Sequence, residues 1–179
     1  MINETYIQLV LREFKRLKGL VDGALLQISA EQFFAAPSAT DNSIAVIVKH
    51  VGGNLLSRWT DFLTTDGEKP GRNRDTEFIV LPADTRERLI GQWEAGWAAL
   101  FRALESLQEA DLERTVYIRG EPLTVLQAIN RQLTHYSYHV GQIVYLAKHY
   151  TGTAWQSLSI PRGASADFNR NPAKYVEKA

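Results

Sequence analysis

Three histidines in this chain stand where they can hold a metal ion together. His135 and His139 lie four apart in the run Leu133-Thr134-His135-Tyr136-Ser137-Tyr138-His139-Val140. Side chains at i and i+4 share one face of a helix. His50 lies far away, in the apolar run Ile44-Ala45-Val46-Ile47-Val48-Lys49-His50-Val51. Two imidazoles from one helix and a third from its neighbour make a three-nitrogen donor set. Such a set leaves coordination positions open for a substrate or a water, as catalytic metal sites do. Imidazole donors suit zinc or nickel, at metal–nitrogen distances of about 2.0–2.2 Å. A His-x-x-x-His pair alone also occurs as a structural or exposed pair. It is His50 and the polar surroundings of the pair that favour the metal. The Glu of His-Glu-x-x-His is missing, which argues against a zincin-type protease. His149 follows Lys148 and is expected to face solvent and complement the helix C-terminal dipole.

The helix carrying His135 and His139 shows two stripes. One is core: Leu126, Ile129, Leu133, Tyr136, Val140, Ile143 and Ala147. Beside it run Val125, Ala128, Gln132, His135, His139, Gln142 and Leu146, apolar at both ends and polar in the middle. Buried polar side chains need partners, because an unpaired one costs about 1–3 kcal/mol. A metal satisfies the histidines, and Gln132 and Gln142 are placed to orient ligands or meet substrate. Asn54 and Arg58 fall one and two turns after His50. Asn54 is a further substrate-contact candidate. Arg58 and Tyr138 are weaker candidates for binding a cofactor, and an interhelical or solvated salt bridge is the simpler reading of Arg58. Arg72, Arg74 and Asp75 read as solvated loop charges.

Four amphipathic stretches must position these residues. The first spans about residues 3–28, with Ile7, Val10, Leu11, Phe14, Leu17, Val21, Leu25 and Ile28 at helical spacing. The second starts after Asn42 or Ser43, either of which can cap it, and runs through Ile44, Ile47, Val48, Val51, Leu55, Trp59 and Phe62. Gly52-Gly53 in its middle costs about 1 kcal/mol per glycine relative to alanine. That pair implies either close helix packing or room for a ligand beside His50. Residues 64–83 are turn-rich and charged, a long connection that is functional or mobile. The third helix starts at Asp84 or Thr85, with Glu87 placed for a capping box from Asp84, and Leu89, Trp93, Trp97, Leu100, Leu104 and Leu107 as its stripe. A short hairpin fits 114–124. The fourth helix follows from about 123 to 150, with a Thr124–Gln127 capping box. Residues 151–179 read as an irregular C-terminal tail, partly packed around Trp155 and Leu158. The expectation is an all-α antiparallel four-helix bundle forming one domain over 1–179.

Composition narrows the function classes. Lys+Arg and Asp+Glu both number 20, so the formal net charge is zero. A general nucleic-acid binder needs a basic face. Cysteine is absent, which removes thiolate ligands, disulfides and a cysteine nucleophile. No apolar run approaches a membrane span, and no signal peptide is visible. The expected location is cytoplasmic, with no membrane partner. Asp and Glu are scarce on the inner stripes, which disfavours a di-iron carboxylate bundle.

His50 followed by Gly-Gly-Asn-Leu-Leu-Ser-Arg-Trp, together with His135-x-x-x-His139-Val-Gly-Gln-Ile, resembles the DinB/YfiT-like superfamily. Phe62-Leu-Thr-Thr-Asp-Gly-Glu-Lys-Pro and Ser157-Leu-Ser-Ile-Pro-Arg-Gly are similar to one branch of it. The resemblance covers nearly the whole chain. It implies a four-helix bundle, often a homodimer, with zinc or nickel on His50, His135 and His139. It also implies metal-dependent S-transfer or isomerisation with a low-molecular-weight thiol such as bacillithiol or mycothiol and a small-molecule substrate. The alternative is a non-catalytic metal- or ligand-binding homodimer.

Overall fold

Side-chain caps set where the helices begin. In the computed structural model, which describes residues 5–171, helix α1 (Tyr6–Leu25) opens on Thr5. Its hydroxyl accepts the Gln8 N–H, and the Gln8 side chain accepts the Thr5 N–H. The same reciprocal box opens α2 (Ala30–Phe34) through Ser29 and Gln32, and α5 (Val125–Thr151) through Thr124 and Gln127. Ser43 rather than Asn42 caps α3 (Ile44–Trp59). Thr85, not Asp84, caps α4 (Arg86–Glu105), accepting from the Arg88 N–H. The expected Asp84–Glu87 box does not form, because the Asp84 carboxylate is taken by Lys49 at 2.6 Å. Residues 3 and 4 of the expected first helix and 172–179 of the expected tail lie outside the described residues.

Among the described residues the chain is mostly helical, with six α-helices and one small sheet. Strands β1 (Thr115–Ile118) and β2 (Glu121–Thr124) pair antiparallel just before α5. Their turn residues, Arg119 and Gly120, both have positive φ, at 58° and 75°, the sign pattern of a type I′ hairpin. The tail is more ordered than its lack of periodicity implied. It holds a 3-10 turn at Gly152–Ala154 and helix α6 (Ser165–Arg170). Half-buried Trp155 and Leu158 pack against the core, and Gln27 and Gln156 exchange side-chain-to-backbone hydrogen bonds that fasten the segment to the end of α1.

The four long helices bury a common core. α1 lies along α5, α3 lies along α4, and α3 also meets α5. Trp93, Trp97, Tyr136 and Phe14 are its largest fully buried side chains. The approach of α3 to α4 requires glycine. A Cβ at Gly96 would stand 2.7 Å from Leu55 Cβ, and one at Gly52 would stand 3.3 Å from the Trp93 nitrogen. Gly52 is thus the close-packing residue that its cost predicted. A buried chain of hydrogen bonds ties α3 to α5: the Trp59 indole N–H donates to Tyr136 Oη (3.1 Å), and the Tyr136 hydroxyl donates to Asn54 Oδ1 (3.0 Å).

Helix α3 is buried on nearly every side, polar residues included. The long connection between α3 and α4 folds back over it and contains a 3-10 turn at Asp75–Phe78. Lys49 Nζ donates to Ile79 O (2.8 Å) as well as to Asp84. Ser57 Oγ donates to Gly67 O (2.7 Å), and Arg58 donates to that same carbonyl. No helix among the described residues is long and apolar enough to cross a membrane.

Replacing Tyr136 by Phe leaves the Trp59 N–H and Asn54 Oδ1 buried without their common partner. The expected loss is about 1–3 kcal/mol of unfolding free energy, read as a lower denaturant midpoint at unchanged slope. A midpoint equal to the parent's would show that the chain of bonds contributes nothing net.

Candidate metal centre

The two helices that share the Trp59–Tyr136–Asn54 bonds also bring the three histidines together. His50 comes from α3, and His135 and His139 come from one face of α5. Each offers a nitrogen, and these atoms all lie within 4.8 Å of one another. His50 Nε2 and His135 Nε2 are 3.4 Å apart. Two donors at about 2.0–2.1 Å from a tetrahedral zinc stand roughly 3.3–3.4 Å apart, so this spacing fits a shared ion. His139 Nε2 is buried and has no hydrogen-bond partner. A cation among the three would give that nitrogen its partner.

Two of the three opposite ring nitrogens face acceptors, while His135 Nδ1 is buried without a partner. His50 Nδ1 lies 2.8 Å from Glu77 Oε2, and His139 Nδ1 lies 2.9 Å from Gln142 Oε1. With each Nδ1–H donating, each Nε2 presents its lone pair to the centre, the arrangement that outer partners impose on metal-binding histidines. Burial pushes His135 down to about 3, with the nearby His139 and His50 adding to the shift. Burial likewise takes His139 down to about 4. Both are therefore neutral at pH 7, the protonation state that metal binding requires. Rings stand beside two of the histidines: Phe78 lies 4.8 Å from His50 and Tyr138 lies 4.2 Å from His139, centroid to centroid.

Glu77 is the functional residue that sequence reasoning missed. It sits in the 3-10 turn of the long connection and is buried. Arg72 grips it with two parallel bonds, Nε to Oε1 (2.8 Å) and Nη2 to Oε2 (2.9 Å). Burial alone would raise the carboxyl, but the His50 and Arg72 hydrogen bonds and the Arg72 charge outweigh it and hold the group below the usual carboxylate range. Arg72, expected to be a solvated loop charge, is only 5% exposed at its side chain. Gly53 makes room for this pairing: a Cβ there would overlap Glu77 Oε1. The space beside His50 is thus taken by a carboxylate from the chain itself. No periodicity marks Glu77 in the sequence. The signal that was available is chemical: a buried ligand histidine commonly has a carboxylate as its outer acceptor, and α3 contains no Asp or Glu.

The other expected site residues fall into distinct places. Gln142 is exposed and holds His139. Gln132 is buried, and its Oε1 has no partner. Asn54 gives its carbonyl to Tyr136, so that oxygen is a packing partner. Arg58 pairs with Glu68 at 2.8 Å, a salt bridge as in its simpler reading, but buried and made to the connection rather than solvated or between helices. Tyr138 is half exposed at the rim. His149 is exposed in the last turn of α5, as expected. A cavity of about 180 Å³ opens over His50 and His135, with Asn54, Gln132 and Tyr138 in its wall.

A family model described as "Protein of unknown function (DUF1572)" matches residues 1–164. No curated protein matches the chain.

Two outcomes follow from this geometry. Glu77→Gln, or Gly53→Ala, which displaces the same carboxylate, should weaken zinc affinity about 10- to 100-fold in a chelator competition. Unchanged affinity in both variants would remove Glu77 from the site. In metal-stripped protein, His135 and His139 take up protons in the unfolded chain near pH 6.5 but in the fold only near 3 and 4. The unfolded state binds more protons between those limits, so stability is full above about pH 6.5 and falls as pH drops toward 4. The double variant His135→Asn/His139→Asn should flatten that slope in denaturant titrations. A slope as steep as the parent's would contradict the burial of neutral imidazoles.

Proposed function

The chain belongs to the DUF1572 family, and we propose that it is a divalent-metal-dependent enzyme whose ion sits on His50, His135 and His139. The observation that carries this reading is the convergence of the three imidazoles, with ligand nitrogens within 4.8 Å and one buried nitrogen lacking any partner. Zinc and nickel are the ions of choice for such a donor set. Three protein donors leave room at the metal for one small ligand, as in catalytic sites.

The resemblance to the DinB/YfiT-like superfamily supports the finer assignment. In it the four long helices form an antiparallel bundle, the protein works as a homodimer, and the reaction is transfer to a low-molecular-weight thiol. A bound ion would supply Lewis acidity, favouring the anionic form of a thiol or a water beside it. The chain's own residues do the rest. Glu77 and Gln142 fix the tautomers and aim of His50 and His139. Phe78 and Tyr138 limit water on two flanks. The cavity beside His135 admits the substrate. In the transfer, the thiol gives its proton to solvent, and its sulfur forms a bond to an electrophilic carbon. The leaving group departs with the electron pair of the broken bond.

His139→Ala should lower bound metal from about one ion per chain to almost none while the helical circular dichroism is kept. Elemental analysis of untagged protein reads this directly. Stoichiometric metal in the variant would sink the ligand assignment. Full metal loading with no thiol-dependent turnover across varied electrophiles would leave a binding protein rather than a transferase.

A further inference from the structure

The cavity over His50 and His135 is walled by guanidinium groups. Arg58, Arg72, Arg74, Arg119 and Arg131 all line it, and no Asp or Glu does. The carboxylates that reach these five from behind are three. Glu68 touches Arg58, Arg72 and Arg119, Glu77 holds Arg72, and Glu121 meets Arg131. Two positive charges are left over before any metal is counted. The side chains of Arg58 and Arg72 are buried and held by Glu68 and Glu77, so they form the fixed back wall. Arg74, Arg119 and Arg131 come from three separate elements and stand at the mouth, with Arg119 and Arg131 about half exposed at 54% and 49%. Arg74 lies over the Phe78 ring and forms no ion pair among the described residues.

Arg119 is placed at a cost. It occupies the left-handed region at φ 58°, where glycine and asparagine are the usual hairpin residues. The turn is clamped by Asp66, whose carboxylate accepts both the Arg119 and the Gly120 N–H at 2.8 Å. Deeper in the same cavity, Gln132 is buried at 4% exposure with its Oε1 unpartnered. That atom awaits a donor from whatever enters.

We propose that this cavity takes a small substrate through a carboxylate, which Arg119, Arg131 and Arg74 bind at the mouth, while a hydroxyl or amide N–H of the substrate donates to Gln132 Oε1. This rests on the metal-centre reading above and adds the substrate class to it. A carboxylate suits guanidiniums, as the two-oxygen grip of Arg72 on Glu77 at the back of the same cavity shows. The size suits it too. About 180 Å³ falls below the roughly 300–1,000 Å³ of pockets for drug-sized ligands, so the ligand is short. Arg131 and His135 stand one turn apart on α5, so an anion at the mouth leaves the rest of the molecule pointing at the triad.

The test uses cobalt(II)-loaded full chain, 3-mercaptopropionate and its methyl ester. The two probes share a thiol and differ in the carboxylate. Binding is read from the sulfur-to-cobalt charge-transfer band. The acid should bind at least about tenfold tighter than the ester, as charge-assisted bonds to guanidinium predict. Arg119→Asn, which suits the left-handed position, and Arg131→Gln should each reduce that preference several-fold while leaving ester affinity unchanged. Equal affinity of acid and ester, or a preference that neither variant alters, would overturn the proposal and leave the metal centre standing. Failure of the parent protein to take up cobalt would overturn both readings together.

Discussion

The hydrogen bond between Glu77 and His50 is the joint on which the arrangement turns. It joins the long connection to the middle of α3 and fixes which nitrogen of His50 faces the other two histidines. Neither partner could make it alone. Glu77 reaches the ring only because Gly53 lacks a Cβ. The carboxylate stays charged while buried because Arg72 binds both of its oxygens. Arg72 in turn is held by Glu68, which also receives Arg58 from the far end of α3. Removing one member of such a network leaves the others as buried charges, so the parts stand or fall as a unit.

That joint explains why α3 carries so many buried polar groups. Lys49, His50, Asn54, Ser57 and Arg58 are all buried on one helix of 16 residues. Burying each is costly unless it is bonded, and nearly every partner comes from the connection that follows. Lys49 finds Ile79 O and Asp84, Ser57 and Arg58 find Gly67 O, and His50 finds Glu77. Only Asn54 turns the other way, to Tyr136 on α5. The connection is therefore a wall of the structure, and its length is what covering a polar helix face requires.

The sequence made some of this readable and hid the rest for physical reasons. The histidine cluster was legible because a helix repeats: His135 and His139 share a face by spacing alone, and His50 sits just off an apolar stripe. The Thr124 capping box was legible because its two residues are local. Gly52-Gly53 signalled close approach, yet spacing cannot say what approaches. One glycine faces the α4 backbone and the other faces a carboxylate 24 positions further along the chain. Glu77 and Arg72 were invisible because a loop has no period, so a buried loop charge reads like a solvated one. Of the two expected starts Thr85 holds, and the Asp84–Glu87 box fails because the competing partner, Lys49, lies 35 positions away. Local signals survive in sequence; pairings that cross the fold do not.

One stripe of α5 gathers three of the exceptions to the rule that buried polar atoms find partners, besides Arg58 Nε, Trp93 Nε1 and Trp97 Nε1 elsewhere. Gln132 Oε1, His135 Nδ1 and His139 Nε2 are all buried without a hydrogen bond, and all lie on the side of α5 that carries the triad. Native structures hold few such atoms, and each leaves about 1–3 kcal/mol of desolvation uncompensated. An apolar stripe there would pack at least as well, as it does at Val125, Ala128 and Leu146 on either side. The cost falls only in the middle, beside the cavity, while the outer nitrogens of His50 and His139 are carefully satisfied. A helix that needed polarity for solubility would expose it. A helix that needed only a core would omit it. Gln132 Oε1 and His139 Nε2 are buried and left open beside the histidine cluster, where a donor and a cation would complete them.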